Sequence, residues 1–239
     1  IMYPVLVFRH SATEGPGYFT TFLDRHGIPW RLVRIDAGDA VPENLNGVSG
    51  LCLMGGHMSV NDDLPWIPPM LALIRQAVAA DIPVIGHCLG GQLMARALGA
   101  RVGDSPAPEV GWQALDIVDS DLARAWFGQR RRATVFQWHF EAFELPPGAT
   151  LLAASAACPH QAFAIGPHLG MQFHIEVDAA KVLHWSGEHG ERWSVAQAQH
   201  PGTVQGAQAL RDGLQQQLAG HQALAEALYT RWLAAVPRR

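Results

Sequence analysis

The 239-residue sequence has few cysteines and little charge. Its three cysteines are too few and too scattered for a disulfide framework, and they lack the paired spacing of a zinc site. We therefore expect a reduced, cytoplasmic compartment. Charged residues make up 16% of the chain and the net charge is −4, so no nucleic-acid partner is expected. Lysine occurs once, as Lys181, a bias toward arginine that we attribute to genomic composition.

The sequence also lacks long apolar runs. The best candidate, residues 70–89, is interrupted by Arg75, Asp81 and His87, so no segment is long enough to cross a bilayer. The first residues lead directly into a strand-like run and show no basic segment typical of a signal peptide. We therefore expect no membrane association.

The first half of the chain alternates strand-like and helix-like segments. Short apolar runs predict strands, and helical spacing of apolar residues predicts the segments between them. The predicted strands are 3–8, 30–35, 48–54 and 83–85, and the predicted helices are 15–26, 68–80 and 89–98. This alternation predicts an α/β fold with three layers, in which helices cover both faces of an open, mostly parallel sheet.

The second half of the chain is rich in β-formers and ends in helical patterns. Gly and Pro signals separate the strand-like segments 112–118, 134–138, 150–154, 161–165 and 170–174, which predict a sheet extension with some antiparallel pairing. From residue 178 the pattern is helical, with a leucine stripe interrupted by Gly213 and Gly220. We expect one domain over residues 1–190 and a helical extension over 191–239 that packs on the same domain.

Residues 86–92, Gly-His-Cys-Leu-Gly-Gly-Gln, follow a predicted buried strand and open a predicted helix. A sharp strand-to-helix turn with glycines on both sides of Cys88 is the context of a nucleophile elbow. At a helix N-terminus, backbone N–H groups favour a thiolate, and the N–H of Leu89 would point toward a bound carbonyl oxygen. Cys88 is thus the candidate nucleophile, with a buried structural cysteine as the alternative. Cys52 and Cys158 are expected to have no chemical role.

His174 is the candidate general base. Glu176 follows it by two residues at the end of a predicted strand, and side chains at positions i and i+2 of a strand share a face. Glu176 can therefore bind a ring nitrogen of His174 and set its tautomer, although a surface pair at a strand end is the alternative. His87 should point to the opposite face from the cysteine, into the core. His139 and His160 are secondary candidates in predicted loops.

Segments 86–92 and 171–178 together resemble the class I glutamine amidotransferases, whose signatures are a Gly-x-Cys-x-Gly-x-Gln elbow and a Gln-Phe-His-Pro-Glu box. Residues 54–63 resemble the Gly-Gly-Pro-Met-Ser-x-Asn-Asp stretch of the GMP synthase-like group of that family. The three blocks fall in the family's order and span about residues 50–178. The resemblance implies the fold of that family for most of the chain.

The resemblance also implies catalytic roles, position by position. Cys88 would be the nucleophile, His174 the general base and acid, and Glu176 the residue that orients the histidine. The N–H of Leu89 and a backbone N–H within Gly55–Gly56 would form the oxyanion hole.

The resemblance implies substrate contacts as well. Gln92 would help to bind glutamine. Residues 137–141 resemble the loop that closes on the α-amino and α-carboxylate groups, which makes Trp138 and His139 candidate substrate contacts.

Two positions depart from the family's pattern. His57 replaces the usual proline of the Gly-Gly-Pro loop, and Ile175 replaces the proline between the histidine and the glutamate. Because proline fixes φ and removes an N–H, both segments are less constrained here. Neither change removes a catalytic atom.

The implied reaction is attack of the cysteine on a γ-glutamyl amide such as glutamine, through a thioester that releases ammonia or an amine. No metal or organic cofactor is expected. The residues that follow the His-Glu box show no Gly-rich nucleotide-binding loop. We therefore expect either a separate ammonia-acceptor synthase subunit or a stand-alone γ-glutamyl peptide hydrolase. A regulatory or metabolite-binding protein that retains the fold is the non-enzymatic alternative.

Overall fold

The computed structural model describes residues 2–188 and 190–237, and within them one nine-stranded sheet is flanked by seven α-helices. The strands are β1 (Val5–Arg9), β2 (Trp30–Arg34), β3 (Gly50–Leu53), β4 (Val84–His87), β5 (Val102–Ile117), β6 (Arg132–Phe143), β7 (Thr150–Ala154), β8 (Ala162–Ile165) and β9 (His168–Met171). The helices are α1 (Tyr18–Arg25), α2 (Ile67–Ala79), α3 (Leu89–Ala97), α4 (Asp121–Phe127), α5 (Ala179–Ser186), α6 (Glu191–Gln199) and α7 (Ala207–Leu233).

The sheet has the strand order β2-β1-β3-β4-β9-β8-β7-β5-β6. The strands from β2 to β9 in this order pair in parallel, and those from β9 to β6 pair antiparallel. The predicted α/β fold, with its β-rich second half and helical C-terminal part, is confirmed. The sheet is more evenly mixed than predicted, because β5 to β9 continue it mainly as antiparallel neighbours.

Both faces of the parallel half of the sheet are buried. In β1, Val5 and Val7 belong to one hydrophobic cluster, while Leu6 and Phe8 belong to the other. Helices α1, α4 and α7 contribute to the first cluster, and α2 and α3 to the second. Burial on both faces explains why these strands are continuous apolar runs in the sequence.

Helix α7 ties the C-terminal part of the chain to the sheet. Near its start, Leu210 packs in a third cluster with Trp112 of β5, and near its end Leu228 and Trp232 are buried beneath the parallel strands. The predicted interruptions at glycine are wrong, since α7 runs through them without a break. The division of the chain at residue 190 stays a prediction. In the described ranges, no helix is both long and apolar enough to cross a membrane.

Strand β5 begins ten residues before the predicted start at residue 112. Its first part contains Gly103, Asp104, Pro106 and Pro108, which are typical of turns. The pairing with β6 shifts register between Asp104 and Glu109. This irregularity accommodates the prolines, whose missing N–H groups cannot join a regular ladder.

Candidate active site

Four neighbouring parallel strands end at one edge of the sheet, and the segments that follow them carry the candidate residues. Glu14 follows β1, Gly55–Gly56 follow β3, Cys88 follows β4 and His174 follows β9. Ligands bind at the carboxyl ends of the strands in open α/β sheets. A cavity of about 640 Å³ lies at this edge, and its lining includes Cys88 and His174.

Cys88 lies on a sharp turn between β4 and α3. Its φ of 51° is uncommon for a residue other than glycine, and it occupies the N-cap position of α3. A Cβ on Gly86 would lie 2.5 Å from the carbonyl carbon of Gly90, so the turn needs glycine there. The N–H of Cys88 donates to the carbonyl of Met171 at 2.9 Å, which ties the elbow to β9.

The thiol of Cys88 is 3.6 Å from the carbonyl oxygen of Trp138, and Nε2 of Gln172 lies 3.7 Å from Sγ. The residue is buried except for 6% of its surface. The thiol therefore has polar neighbours and borders the cavity, whereas an inert structural cysteine is typically enclosed by apolar groups.

His174 and Glu176 form a buried pair with 2.8 Å between Nδ1 and Oε1. The pair forms as predicted, but the strand argument for it was wrong, because β9 ends at Met171 and both residues lie in the turn that follows. Burial alone would lower the pKa of His174, but the charges of Glu176 and Cys88 raise it well above 6.5. His174 therefore carries a proton at neutral pH that it can give to a leaving amine.

Lys181 is a functional candidate that the sequence reasoning missed. Its Nζ lies 3.1 Å from Oε1 of Glu176, donates to the carbonyl of Gly15 at 2.5 Å and sits over the ring of Trp185. Burial would raise the pKa of Glu176, but Lys181 and then His174 hold it well below 4.5. The signal was the retention of one lysine in a chain that otherwise uses arginine.

Glu14 is a second residue that the sequence reasoning missed. It lines the cavity, and its Oε2 is buried without a hydrogen-bond partner among the residues that the structure describes. A Cβ on Gly55 would overlap this oxygen and would lie 2.8 Å from Cε1 of His174, so the three residues are closely packed. Burial raises the pKa of Glu14. No local sequence pattern marks this residue, because its contacts lie far away in the chain.

The predicted oxyanion groups lie beside the elbow. Leu89 is the first residue of α3, so its N–H has no acceptor within the helix. A Cβ on Gly56 would lie 2.7 Å from Cδ2 of Leu89, which shows how closely the loop after β3 approaches α3. His57, in place of the usual proline, is exposed and lines the cavity. The oxyanion role of these N–H groups stays a prediction.

The predicted substrate contacts lie on α3 and β6. Residues 137–141 are part of β6 and not of a loop as predicted, because they pair with β5 in register. Nε2 of Gln92 donates to the carbonyl of Glu141 at 3.0 Å. The ring of His139 is hydrogen-bonded at Nε2 to Glu109 at 2.9 Å and at Nδ1 to the carbonyl of Glu141 at 3.0 Å. This ring thus has no nitrogen left for a substrate.

The remaining candidates lie outside the cavity lining. His87 is fully buried, its Nε2 is 2.9 Å from the hydroxyl of Tyr229, and burial lowers its pKa to about 4. Cys52 is buried in β3, and Cys158 is buried between β7 and β8. His160 is hydrogen-bonded to a carbonyl of β6. No group of three or more His, Cys, Asp and Glu side chains in residues 2–188 and 190–237 is arranged to hold a metal ion.

Comparison with known proteins identifies a family. The family model described as glutamine amidotransferase class-I matches residues 22–182. The glutamine amidotransferase-like protein YfeJ of Salmonella typhimurium is 34% identical over 70% of this chain and 73% of its own length. Gamma-glutamyl peptidase 3 of Arabidopsis thaliana is 29% identical over 64% and 65%, respectively. A glutamine-hydrolyzing GMP synthase subunit of Thermococcus kodakarensis is 40% identical over 44% and 57%.

A solved structure matches the full length of the chain. The crystal structure of a glutamine amidotransferase from Methylobacillus flagellatus has a TM-score of 0.91 and 38% sequence identity. The alignment covers 100% of this chain and 97% of that one. The C-terminal helices, which lie beyond the matched family model, are therefore within the part of the chain that this structure shares.

Proposed function

This chain belongs to the class I glutamine amidotransferase family, and we propose that it hydrolyses a γ-glutamyl amide through a thioester on Cys88. One observation carries the proposal. Cys88 borders the cavity at the N-terminus of α3, in a site where His174 is protonated and held by Glu176. A nucleophile, an acid–base group and a residue that orients the latter are the parts that covalent catalysis needs.

In the first half of the reaction, Sγ of Cys88 attacks the γ-carbonyl carbon of the substrate. The resulting oxyanion is stabilised by the N–H of Leu89 and a backbone N–H of Gly55–Gly56. His174 donates its proton to the leaving nitrogen, the C–N bond breaks, and ammonia or an amine departs. A γ-glutamyl thioester on the cysteine remains.

In the second half, water attacks the thioester and His174 accepts the proton of that water. The tetrahedral species collapses, glutamate leaves, and the thiolate is restored beside a protonated histidine. Glu176 stabilises the imidazolium in both halves and fixes the ring through Nδ1.

The substrate is proposed to bind between α3 and β6. Gln92 and Trp138 line this side of the cavity, and His139 contributes to it through its main chain, because both nitrogens of its ring are engaged. No cofactor is part of the proposed reaction. The cytoplasmic location stays a prediction.

The destination of the ammonia distinguishes two candidate functions. The likeness to one subunit of a GMP synthase supports a separate synthase subunit that accepts the ammonia. The likeness to a gamma-glutamyl peptidase, together with a cavity of about 640 Å³, supports a stand-alone hydrolase of γ-glutamyl peptides. A protein that binds a γ-glutamyl metabolite without cleaving it is the non-enzymatic alternative.

The test is glutamate release by the isolated protein from glutamine and from a panel of γ-glutamyl amides and peptides. Cys88→Ala should abolish turnover, while Cys158→Ala, at a buried cysteine outside the cavity lining, should leave it intact. Turnover of glutamine supports the amidotransferase function, and turnover of peptides alone supports the hydrolase. Turnover that survives in Cys88→Ala would contradict the proposed nucleophile, and binding without turnover would favour the non-enzymatic alternative.

A further inference from the structure

One wall of the cavity lies beyond residue 182, where the family model ends. Glu188, Gly190, Arg192 and Trp193 contribute to the lining from the segment that leads into α6. Trp193 anchors this wall: its Nε1 donates to the carbonyl of Gln205 at 2.9 Å, and its ring lies 5.0 Å from the ring of Trp138. The C-terminal helices therefore help to form the cavity.

Arg192 is positioned on this wall for ligand binding. Its guanidinium lies 4.1 Å from the ring centre of Phe140, a residue of β6 that also lines the cavity. Stacking on an aromatic face pre-orients the guanidinium and leaves the N–H groups at its edge available for a carboxylate. Within residues 2–188 and 190–237, Arg192 forms no ion pair.

The carboxylates that line the cavity have other contacts. Oδ2 of Asp62 accepts from the N–H of Ser59 at 2.9 Å, and Oε1 of Glu141 accepts from the hydroxyl of Ser59 at 3.1 Å. Oε1 of Glu188 lies 3.4 Å from Nε2 of His184. In the described part of the lining, Arg192 is the only arginine or lysine.

The cavity is also larger than one amino acid fills, since volumes of about 300–1,000 Å³ are typical of sites for drug-sized ligands. A γ-glutamyl compound carries an α-carboxylate, and a γ-glutamyl peptide carries a second carboxylate at the end of its leaving group. Either group can meet a guanidinium on the wall of the cavity. The aromatic residues around Arg192 exclude water, which strengthens such a contact.

We propose that Arg192, stacked on Phe140, binds a carboxylate of the substrate. The proposal rests on the proposed function, because it takes the ligand to be a γ-glutamyl compound. It adds a specificity-determining residue from α6 to a site whose other residues come from the strand ends and α3. Arg192 takes no part in the bond-breaking steps.

The test measures binding without turnover, in a Cys88→Ala background, by titration calorimetry. The ligands are γ-glutamylalanine, its neutral C-terminal amide, and glutamine. Adding Arg192→Gln should weaken binding of at least one ligand about tenfold, since hydrogen bonds between charged groups are the stronger ones. Adding Arg192→Lys should restore part of the loss. Arg75→Gln, at an exposed arginine of α2, is the matched control and should change nothing.

The three ligands distinguish the two possible carboxylates. A loss confined to γ-glutamylalanine assigns Arg192 to the leaving group, and an equal loss for all three assigns it to the α-carboxylate. Unchanged affinity for all three ligands, or no binding of any of them, overturns the inference. Failure of the proposed function is separate, because it appears as absent hydrolysis by the unmodified protein.

Discussion

Nζ of Lys181 lies 3.1 Å from Oε1 of Glu176, the same oxygen that accepts Nδ1–H of His174 at 2.8 Å. The second oxygen, Oε2, is buried and has no hydrogen-bond partner in the described ranges. One carboxylate oxygen is thus shared by two cations in a buried site. Lys181 keeps Glu176 ionised, and its positive charge also limits how strongly Glu176 favours the imidazolium form of His174.

Replacing Lys181 by methionine should shift the alkaline limb of kcat/KM to higher pH. Without the lysine, Glu176 interacts with His174 alone, so the pKa of His174 rises and the proton is lost at higher pH. Breaking the buried pair should also destabilise the protein by about 3–5 kcal/mol. The measurements are a pH–rate profile and a thermal melt.

Lys181→Arg is the matched control, because it keeps the charge and should keep the alkaline limb near its original position. A purely structural role of the lysine would lower activity at every pH without moving the limb. An alkaline limb that moves to lower pH in Lys181→Met would contradict the argument.

Glu14→Gln should stabilise the protein at alkaline pH. Because burial raises the pKa of Glu14 in the folded state above 4.5, the folded chain holds this proton where the unfolded chain has lost it. Stability therefore falls as the pH rises from the unfolded pKa through the folded one. We expect a gain of about 1 kcal/mol for Glu14→Gln at pH 8 and little or none below pH 4, measured by urea unfolding. A gain that is larger in acid than in alkali would refute the explanation.

Gly55→Ala should abolish turnover while the chain stays folded. The new Cβ would overlap the carboxyl group of Glu14 and lie 2.8 Å from Cε1 of His174, so the histidine must shift. A displacement of about 1 Å at a catalytic group typically costs about a hundredfold in rate. Gly103→Ala, where a Cβ meets nothing within 4 Å, is the control in steady-state kinetics. Comparable activity of the two variants would show that the packing around Gly55 is not critical.

Two glycines of α7 should respond to alanine with opposite signs. Gly220 has open space around it, so Gly220→Ala should gain about 0.8–1 kcal/mol from helix propensity and raise Tm by about 2–4 °C. Gly213 packs against the ring of Trp112, so Gly213→Ala should lose about 1–3 kcal/mol through overpacking. Differential scanning calorimetry measures both changes, and equal signs would argue against this packing.

The sequence predicts the parallel half of the fold well, because strands buried on both faces are apolar runs such as 48–54. It predicts the strand ends less well. The run 170–174 was expected to be a strand throughout, yet β9 ends at Met171, and a turn brings His174 to Glu176. Residues 137–141 were expected to form a loop, because no local pattern shows their long pairing with β5.

The candidate site was predictable where its chemistry is local. The elbow around Cys88 follows from glycine spacing, and the His174–Glu176 pair from the resemblance of a short box. Lys181 and Glu14 were missed because their contacts join segments far apart in the chain: Lys181 reaches the carbonyl of Gly15, and Glu14 packs beside Gly55. Such contacts exist only after the strand ends have come together.

The hydrogen bond from the N–H of Cys88 to the carbonyl of Met171 has a consequence for synthesis on the ribosome. Strand β9, which carries this carbonyl, is translated long after the cysteine, and so is the turn that carries His174. A nascent chain that stops before β9 holds the thiol without its elbow support and without its acid–base partner. Reactivity therefore arises only late in translation, which limits premature chemistry at an exposed thiolate.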